Sequence, residues 1–112
     1  MGTKFSFECP ACDYSVVVSA GVDFGMVAVV QPMLCSDCQE ITDVIIGEEG
    51  EIYPRQPLKL GEPRLYLTKH IDSDEFYVCS NCKKDHLSDW KNNECPKCNG
   101  TMKNVGEAML WD

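Results

Sequence analysis

The stretch Cys79-Ser80-Asn81-Cys82, followed after twelve residues by Cys95-Pro96-Lys97-Cys98, decides the fold of this chain. A looser counterpart lies near the N-terminus, where Cys9-Pro10-Ala11-Cys12 is followed after twenty-two residues by Cys35-Ser36-Asp37-Cys38. Each Cys-x-x-Cys turn presents two sulfurs to one ion, and two such turns complete a tetrahedral shell. The pattern therefore predicts two four-cysteine metal sites, with these ligands: Cys9, Cys12, Cys35, Cys38, Cys79, Cys82, Cys95 and Cys98.

The order of the cysteine pairs predicts how they share the two ions. Pairing in sequence order assigns one ion to the two pairs within 9–38 and the other to the two pairs within 79–98. An arrangement in which alternate pairs share a metal stays open, because the connector between them is long enough to let the pairs interleave.

The length of 112 residues and the cysteine spacing favour two small modules. We expect an N-terminal zinc ribbon with an extended hairpin over 1–47, a connector over 48–72 that contains proline and glycine, and a C-terminal zinc ribbon over 73–112. Modules of roughly 40 residues usually need a metal or a disulfide to fold. The predicted fold class is thus small, mainly β and metal-stabilised, built from short antiparallel hairpins.

The sequence predicts a cytoplasmic protein, which would lie in a reducing compartment. The chain starts without an apolar signal segment, and its longest apolar run, Met26 to Val30, is far too short to cross a membrane. In a reducing compartment, eight paired cysteines indicate metal ligands more readily than disulfides.

The net charge of −8 disfavours binding to phosphate backbones, and two zinc ions held by eight thiolates would bring it to about −12. Residues 1–47 contain one lysine and six acidic residues, whereas residues 73–112 contain five lysines. We therefore expect a protein partner, and any contact with nucleic acid would fall to the C-terminal half.

Apolar patterns predict four strands in the N-terminal module: Phe5–Glu8, Tyr14–Ala20, Met26–Val30 and Ile41–Ile46. A reversal at 21–25 predicts that the second and third strands pair as a hairpin, and Pro32 is expected to end the third. The third strand is apolar on both faces, so it requires cover from other strands or from a partner.

The rest of the chain carries weaker signals. In the connector, we expect packing through Ile52, Tyr53, Leu58 and Leu60, and either a strand or a helical turn at 65–67. Leu87 and Trp90 are predicted to cover the C-terminal metal, and His70 and His86 to lie on the surface. A strand is expected over 101–105, and the apolar segment 108–111 is expected to be pinned against the body.

At its cysteine turns the chain resembles the zinc-ribbon and rubredoxin-like superfamily, over residues 5–47 and 76–105. The resemblance implies two small antiparallel β ribbons, each holding one ion. Many members have glycine after the second cysteine of a turn, where the backbone takes a positive φ. This chain has Asp13, Gln39, Lys83 and Asn99 there. The whole chain, including 43–47 and 111–112, also looks like small bacterial double-ribbon proteins of unassigned function.

Four functions are compatible with these motifs. Structural zinc has a closed shell and predicts a non-enzymatic adaptor or small subunit that binds a protein. Iron is the alternative metal, because the twelve-residue interval and Cys95-Pro96-Lys97-Cys98 are similar to the rubredoxin-like domain of rubrerythrins, an electron carrier. An oxidation switch is a third reading. The last is a transcription-associated, nucleic-acid-binding zinc ribbon, although the loop 83–94 lacks the adjacent acidic pair of the cleavage-stimulating members.

Overall fold

The protein is mainly β, as the sequence predicts. The structure is a computed structural model that describes residues 2–56, 66–91, 93–98 and 100–111. Within these ranges the chain forms one short 3-10 helix, Ser73–Glu75, and no helix there is long and apolar enough to cross a membrane. The strands are β1 (Gly2–Glu8), β2 (Ser15–Ser19), β3 (Asp23–Phe24), β4 (Ala28–Cys35), β5 (Glu40–Glu48), β6 (Glu51–Ile52), β7 (Leu87–Asp89) and β8 (Lys103–Trp111).

The first sheet joins the two ends of the chain. Its order is β2-β1-β8, and both neighbours are antiparallel to β1. Strand β8 runs from Lys103, opposite Glu8, to Trp111, opposite Gly2, with two register shifts on the way. The expectation that 108–111 is pinned against the body is therefore confirmed. The strand predicted at 101–105 overlaps only the beginning of β8, which starts two residues later and is longer.

The second sheet has the order β3-β4-β5-β6, and β7 also pairs with β4. The predicted hairpin between 14–20 and 26–30 is wrong, because β2 pairs with β1 whereas β4 pairs with β3 and β5. The N-terminal strands are thus divided between two sheets. The two sheets share one apolar core, in which Phe7 and Val18 of the first sheet pack with Ile41 of the second.

Pro32 lies inside β4, although the sequence predicts that it ends the strand. Along one edge β4 pairs with β5 over its whole length. Along the other edge it pairs with β3 at Val29 and Val30 and with β7 from Met33 to Cys35. Pro32 falls in the interval between these two short pairings. Proline is tolerated in a strand where one edge is unpaired, because its missing N–H then breaks no ladder hydrogen bond.

Asp43 on β5 connects the two sheets. Its carboxylate accepts hydrogen bonds from the Ser19 hydroxyl on β2 at 2.8 Å and from the Ser19 backbone N–H at 3.1 Å. The ammonium of Lys4 on β1 lies 3.2 Å from the same carboxylate, whose side chain is only 7 % exposed. Three polar groups of the first sheet therefore converge on one nearly buried acid of the second.

Glu48, at the end of β5, is buried and holds the chain that follows residue 65. Its carboxylate accepts hydrogen bonds from the backbone N–H groups of Lys69, His70 and Ile71 and from the Tyr53 hydroxyl. Burial raises the pKa of Glu48, but these hydrogen bonds outweigh burial, so the pKa is lowered from its ordinary value. A buried carboxylate with this many donors fixes the path of 69–71.

The segment around the connector packs through aromatic rings. Tyr53 stacks on Tyr66 with centroids 5.8 Å apart, and both contact Phe76, which is fully buried. Tyr53 thus packs as expected, whereas Ile52 is half exposed, and Tyr66 and Leu67 form neither strand nor helix. Three residues of the earlier expectations lie outside the described residues: Leu58, Leu60 and Leu65.

We expect Glu48→Gln to lower the free energy of unfolding by about 3 kcal/mol at pH 7, because the amide cannot satisfy all the buried donors that the carboxylate accepts. The folded-state pKa lies below the ordinary value of 4.5, so this contribution is present above that pH and is lost as the pH falls. Urea unfolding of the metal-loaded protein measures the change.

The matched control is the neighbouring Glu49→Gln. Glu49 is exposed, and its carboxylate makes surface contacts with the Lys69 ammonium at 3.1 Å and His70 Nε2 at 2.7 Å. Exposed pairs of this kind contribute little to stability, because solvent screens them. Equal effects of the two substitutions would contradict a special role for Glu48.

Candidate metal centres

The structure brings all eight cysteines together in two groups of four. Cys9, Cys12, Cys95 and Cys98 form one group, and Cys35, Cys38, Cys79 and Cys82 form the other. Within each group the Sγ atoms lie within 4.8 Å of one another. In chain order the second group lies inside the first. We therefore call Cys9, Cys12, Cys95 and Cys98 the outer cluster, and Cys35, Cys38, Cys79 and Cys82 the inner cluster.

The pairing predicted from sequence order is wrong. The outer cluster combines the first and fourth cysteine pairs, and the inner cluster combines the second and third. The alternative in which alternate pairs share a metal does not occur either. Each cluster combines one cysteine pair from 1–47 with one from 73–112. The two metal sites therefore hold the N-terminal and C-terminal parts of the chain together, and one site is nested within the other in chain order.

Each of the four cysteine pairs lies on a turn of the same type. The first cysteine of a pair faces the residue five positions later across an antiparallel reversal. Its backbone N–H donates to Tyr14 O in the first turn, to Lys84 O in the third and to Gly100 O in the fourth, at 2.8–2.9 Å. In the second turn Cys35 pairs with Glu40 at the junction of β4 and β5. This shared geometry points two sulfurs of each turn the same way.

The residue after the second cysteine takes a left-handed conformation in three of these turns. The φ angles are 63° at Asp13, 52° at Gln39 and 62° at Lys83. The corresponding Asn99 lies outside the described residues. The positive φ expected from the resemblance is thus present even at Gln39 and Lys83, which tolerate it less readily than glycine.

The sulfur spacing fits a tetrahedral thiolate shell. Metal–sulfur bonds of about 2.3 Å place the sulfurs of such a shell about 3.8 Å apart. The Sγ atoms of Cys9 and Cys98 lie 3.5 Å apart, as do those of Cys12 and Cys95. In the inner cluster the distances are 3.6 Å from Cys35 to Cys82 and 3.9 Å from Cys38 to Cys79. These separations are far longer than a disulfide bond, and all eight cysteines are free.

Backbone donors stabilise negative sulfur in both clusters. N–H groups of Cys38, Asn81 and Lys97 lie 3.4–3.5 Å from the first sulfur of their turns. Burial raises the pKa of Cys9, but hydrogen bonds from the Ala11 N–H and the neighbouring thiols outweigh it and lower that pKa to about 7. Burial also raises the pKa of Cys79, but backbone hydrogen bonds from Cys82 and Asn81 outweigh it and lower that pKa. At Cys35 burial prevails and the pKa is raised. A thiolate is the form that binds metal, so the first and third turns favour the ligand state at their first cysteines.

The second cysteines show why the clusters need a cation. Although the Tyr14 backbone N–H lowers it, burial and the three neighbouring thiols raise the pKa of Cys12 to about 12. Burial, followed by the neighbouring thiols, raises that of Cys38 to about 12 as well. Four thiolates so close together repel one another, and a divalent ion at the centre removes that repulsion. The donor set of four soft sulfurs fits zinc or iron.

Leu87 and Trp90 were both expected to cover the C-terminal metal, but they cover different clusters. Leu87 is buried with Cys35 and Cys79 in the core around the inner cluster. Trp90 packs against the core around the outer cluster, where its ring meets Phe7 edge-on at 5.0 Å. The indole Nε1–H donates to Glu94 O at 2.8 Å. Met102, which the sequence reading missed, is also buried there, and its signal is a lone apolar residue between Thr101 and Lys103.

Both histidines lie on the surface, as expected, and neither belongs to a cysteine cluster. His86 Nδ1 lies 2.6 Å from the Asp37 carboxylate, and His86 O accepts the Ser36 N–H at 3.0 Å. These contacts join the second cysteine turn to the loop after the third. Asp37 and His86 therefore support the meeting of the two turns that form the inner cluster.

Comparisons with protein-family models, with curated proteins and with solved structures found no match to this chain. The resemblance to zinc ribbons accordingly rests on the cysteine turns themselves. What the geometry establishes is a small β protein with two four-cysteine clusters that are suited to binding metal.

The nested pairing predicts opposite outcomes for two double substitutions. Cys9→Ser with Cys98→Ser removes two ligands from the outer cluster alone, so one ion should remain bound. Cys9→Ser with Cys35→Ser damages both clusters, so neither ion should be held tightly. Native mass spectrometry of the purified proteins counts the bound ions.

Sequential pairing would give the reverse result for these variants. Cys9 and Cys35 would then share one site, and their double substitution would leave one ion in place. A protein with Cys9→Ser and Cys35→Ser that still binds one ion tightly would contradict the nested arrangement.

Proposed function

We propose that this protein is a non-enzymatic adaptor or small subunit, in which two zinc ions stabilise the fold and an exposed apolar surface binds a partner protein. Four thiolates per ion leave no open coordination position for water or substrate, which supports a structural role. Among the described residues, no third group of three or more potential metal ligands occurs. Because the ligands are reduced thiols, we place the protein in the cytoplasm.

The observation that carries the proposal is a group of exposed apolar side chains at residues 22–27, which we call the apolar tip. Val22, Phe24 and Val27 are 40–45 % exposed there, and Met26 is 71 % exposed. Monomeric proteins seldom leave several large apolar side chains together in water, and such clusters often mark interaction sites. Adjacent Val29 and Val30 are buried, so the chain covers that part of the segment itself.

The apolar tip is held by backbone hydrogen bonds, which suits it for binding a partner without a large loss of entropy. Gly25 N–H donates to Ala28 O at 2.9 Å, and Glu49 N–H donates to Val27 O at 2.7 Å. The tip is thereby fixed to both β4 and the turn after β5. A surface that is ordered before binding gives higher affinity for the same contact area.

Charge favours a partner with a basic rim around its apolar contact. Residues 1–47 contain six acidic residues and one lysine, and that Lys4 is paired with Asp43. Exposed Glu49 and Glu51 lie on the turn next to the tip. The same charge disfavours nucleic acid, whose phosphates attract basic surfaces.

Metal analysis tests the zinc part of the proposal. Aerobically purified protein should contain two zinc ions per chain and no visible absorption. Iron would bind the same thiolates and give a coloured protein, since iron–thiolate bonds absorb visible light while zinc, a d¹⁰ ion, does not. A red protein with iron in place of zinc would favour the electron-transfer alternative.

Affinity capture from the source cells, with quantitative mass spectrometry, tests the docking part. Met26→Asp and Val27→Asp should each lose the same partner, because a charge then replaces an apolar contact. The control is Leu67→Asp, which lies outside the apolar tip and is 93 % exposed. It should retain that partner.

Circular dichroism should show that all three variants fold, since Met26 and Leu67 lie mostly in solvent and Val27 is 40 % exposed. Val29→Asp is unsuitable for this test, because Val29 is completely buried and its substitution would unfold the core. Retention of every captured protein by both tip variants would refute docking at this surface.

A further inference from the structure

The two clusters differ in how much chain each must close. Cys12 and Cys95 of the outer cluster are 83 residues apart, whereas Cys38 and Cys79 of the inner cluster are 41 residues apart. The entropic cost of closing a loop grows with the logarithm of its length. Doubling the length corresponds to an affinity about three-fold weaker, so the outer cluster is the weaker one when it closes alone. Once the inner cluster is closed, only the segments 12–38 and 79–95 remain to be closed, and loop length no longer separates the two sites. Exposure and packing then decide which ion leaves first.

The clusters also differ in exposure. Cys12 and Cys98 of the outer cluster are exposed, while the corresponding Cys38 and Cys82 of the inner cluster are partly covered. The first cysteines of all four turns are buried. A competing ligand must approach the metal beside a bound sulfur before it can replace that sulfur. The outer cluster has two exposed sulfurs at which this approach is open.

The surrounding core reinforces this difference. The inner cluster belongs to the core that includes the fully buried Phe76 and Val44. The outer cluster belongs to a smaller one around Phe7 and Met102. Opening the inner cluster would therefore expose more apolar surface to water than opening the outer cluster.

Strand β8 depends on the outer cluster. Strand β1 ends directly before Cys9, and β8 begins five residues after Cys98, so the outer ion would clamp the beginning of this strand pair. The side chains of β8 are exposed from Lys103 to Leu110, and only Trp111 is partly buried. Its indole donates to Asp23 at 2.9 Å. With so little buried side-chain surface, β8 is held mainly by backbone hydrogen bonds to β1.

We propose that the outer cluster is an exchangeable metal site. A soft, chelating metal acceptor gains access at Cys12 or Cys98 and removes the outer ion, while the inner ion stays bound. Loss of the outer ion releases β8 and uncovers the edge of β1, so metal supply controls the exposure of a strand edge. The proposal depends on zinc loading of both clusters, which is part of the function proposed above, and it does not depend on the apolar tip.

Release kinetics test the exchange directly. Protein loaded with two zinc ions is mixed with excess 4-(2-pyridylazo)resorcinol, which changes colour when it binds zinc. One ion should leave at least ten-fold faster than the other. Cys12→Ser with Cys98→Ser should abolish the fast phase and keep the slow one. The matched Cys38→Ser with Cys82→Ser variant disables the inner cluster and should lose the slow phase.

Hydrogen exchange of backbone amides shows whether loss of the outer ion releases β8 from β1. After the fast phase, backbone amides of β8 and β1 should exchange at least ten-fold faster than in the loaded protein, while those of β5 keep their protection. Should a variant fail to fold, alkylation of the wild type with N-ethylmaleimide gives the same information. Peptide mapping should then find Cys12 and Cys98 modified first.

Three results would overturn the inference. The first is release of both ions at one rate, and the second is a fast phase that survives when the outer cluster is disabled. The third is first alkylation at Cys38 and Cys82. A wild type that binds no zinc would overturn both this inference and the proposed zinc loading, whereas equal release rates from a fully loaded protein overturn the inference alone.

Discussion

The meeting of the first cysteine pair with the fourth, and of the second with the third, is the constraint on which the rest of the fold depends. Because the fourth turn lies against the first, the chain that leaves Cys98 emerges beside β1 and pairs with it as β8. Because the third turn lies against the second, β7 pairs with the end of β4. Two local contacts between turns thus determine both long-range strand pairings.

The local elements could be predicted from the sequence because short-range chemistry determines them. Alternating apolar residues locate β1, β2 and β5, and the Cys-x-x-Cys spacing locates all eight ligands. The pairing of the turns could not be predicted in the same way. A Cys-x-x-Cys turn looks the same whichever partner it meets, and doubling a loop costs only about 0.6 kcal/mol. Packing of distant side chains can therefore override the preference for neighbouring pairs.

Leu87 and Trp90 illustrate that override. They are three residues apart in the loop that the sequence predicts between Cys82 and Cys95, where Leu87 begins β7 and Trp90 follows it, and their sequence context predicts a shared role at one metal. Instead, Leu87 is buried with Cys35 and Cys79, while Trp90 meets Phe7, eighty-three positions earlier in the chain. The loop thereby connects the cores around both clusters. Sequence distance gave no indication of this, since burial of a large aromatic ring is worth more than the extra loop entropy.

The left-handed residues after the cysteine pairs show what a metal permits in a chain this small. A left-handed conformation costs a residue other than glycine roughly 1–2 kcal/mol, and Gln39 and Lys83 both adopt it. Binding of one zinc ion by four thiolates supplies about 10–16 kcal/mol. The metal term exceeds the backbone cost by several-fold, so a chain that binds metal can dispense with glycine at these positions. The absence of that glycine is therefore no argument against metal binding here.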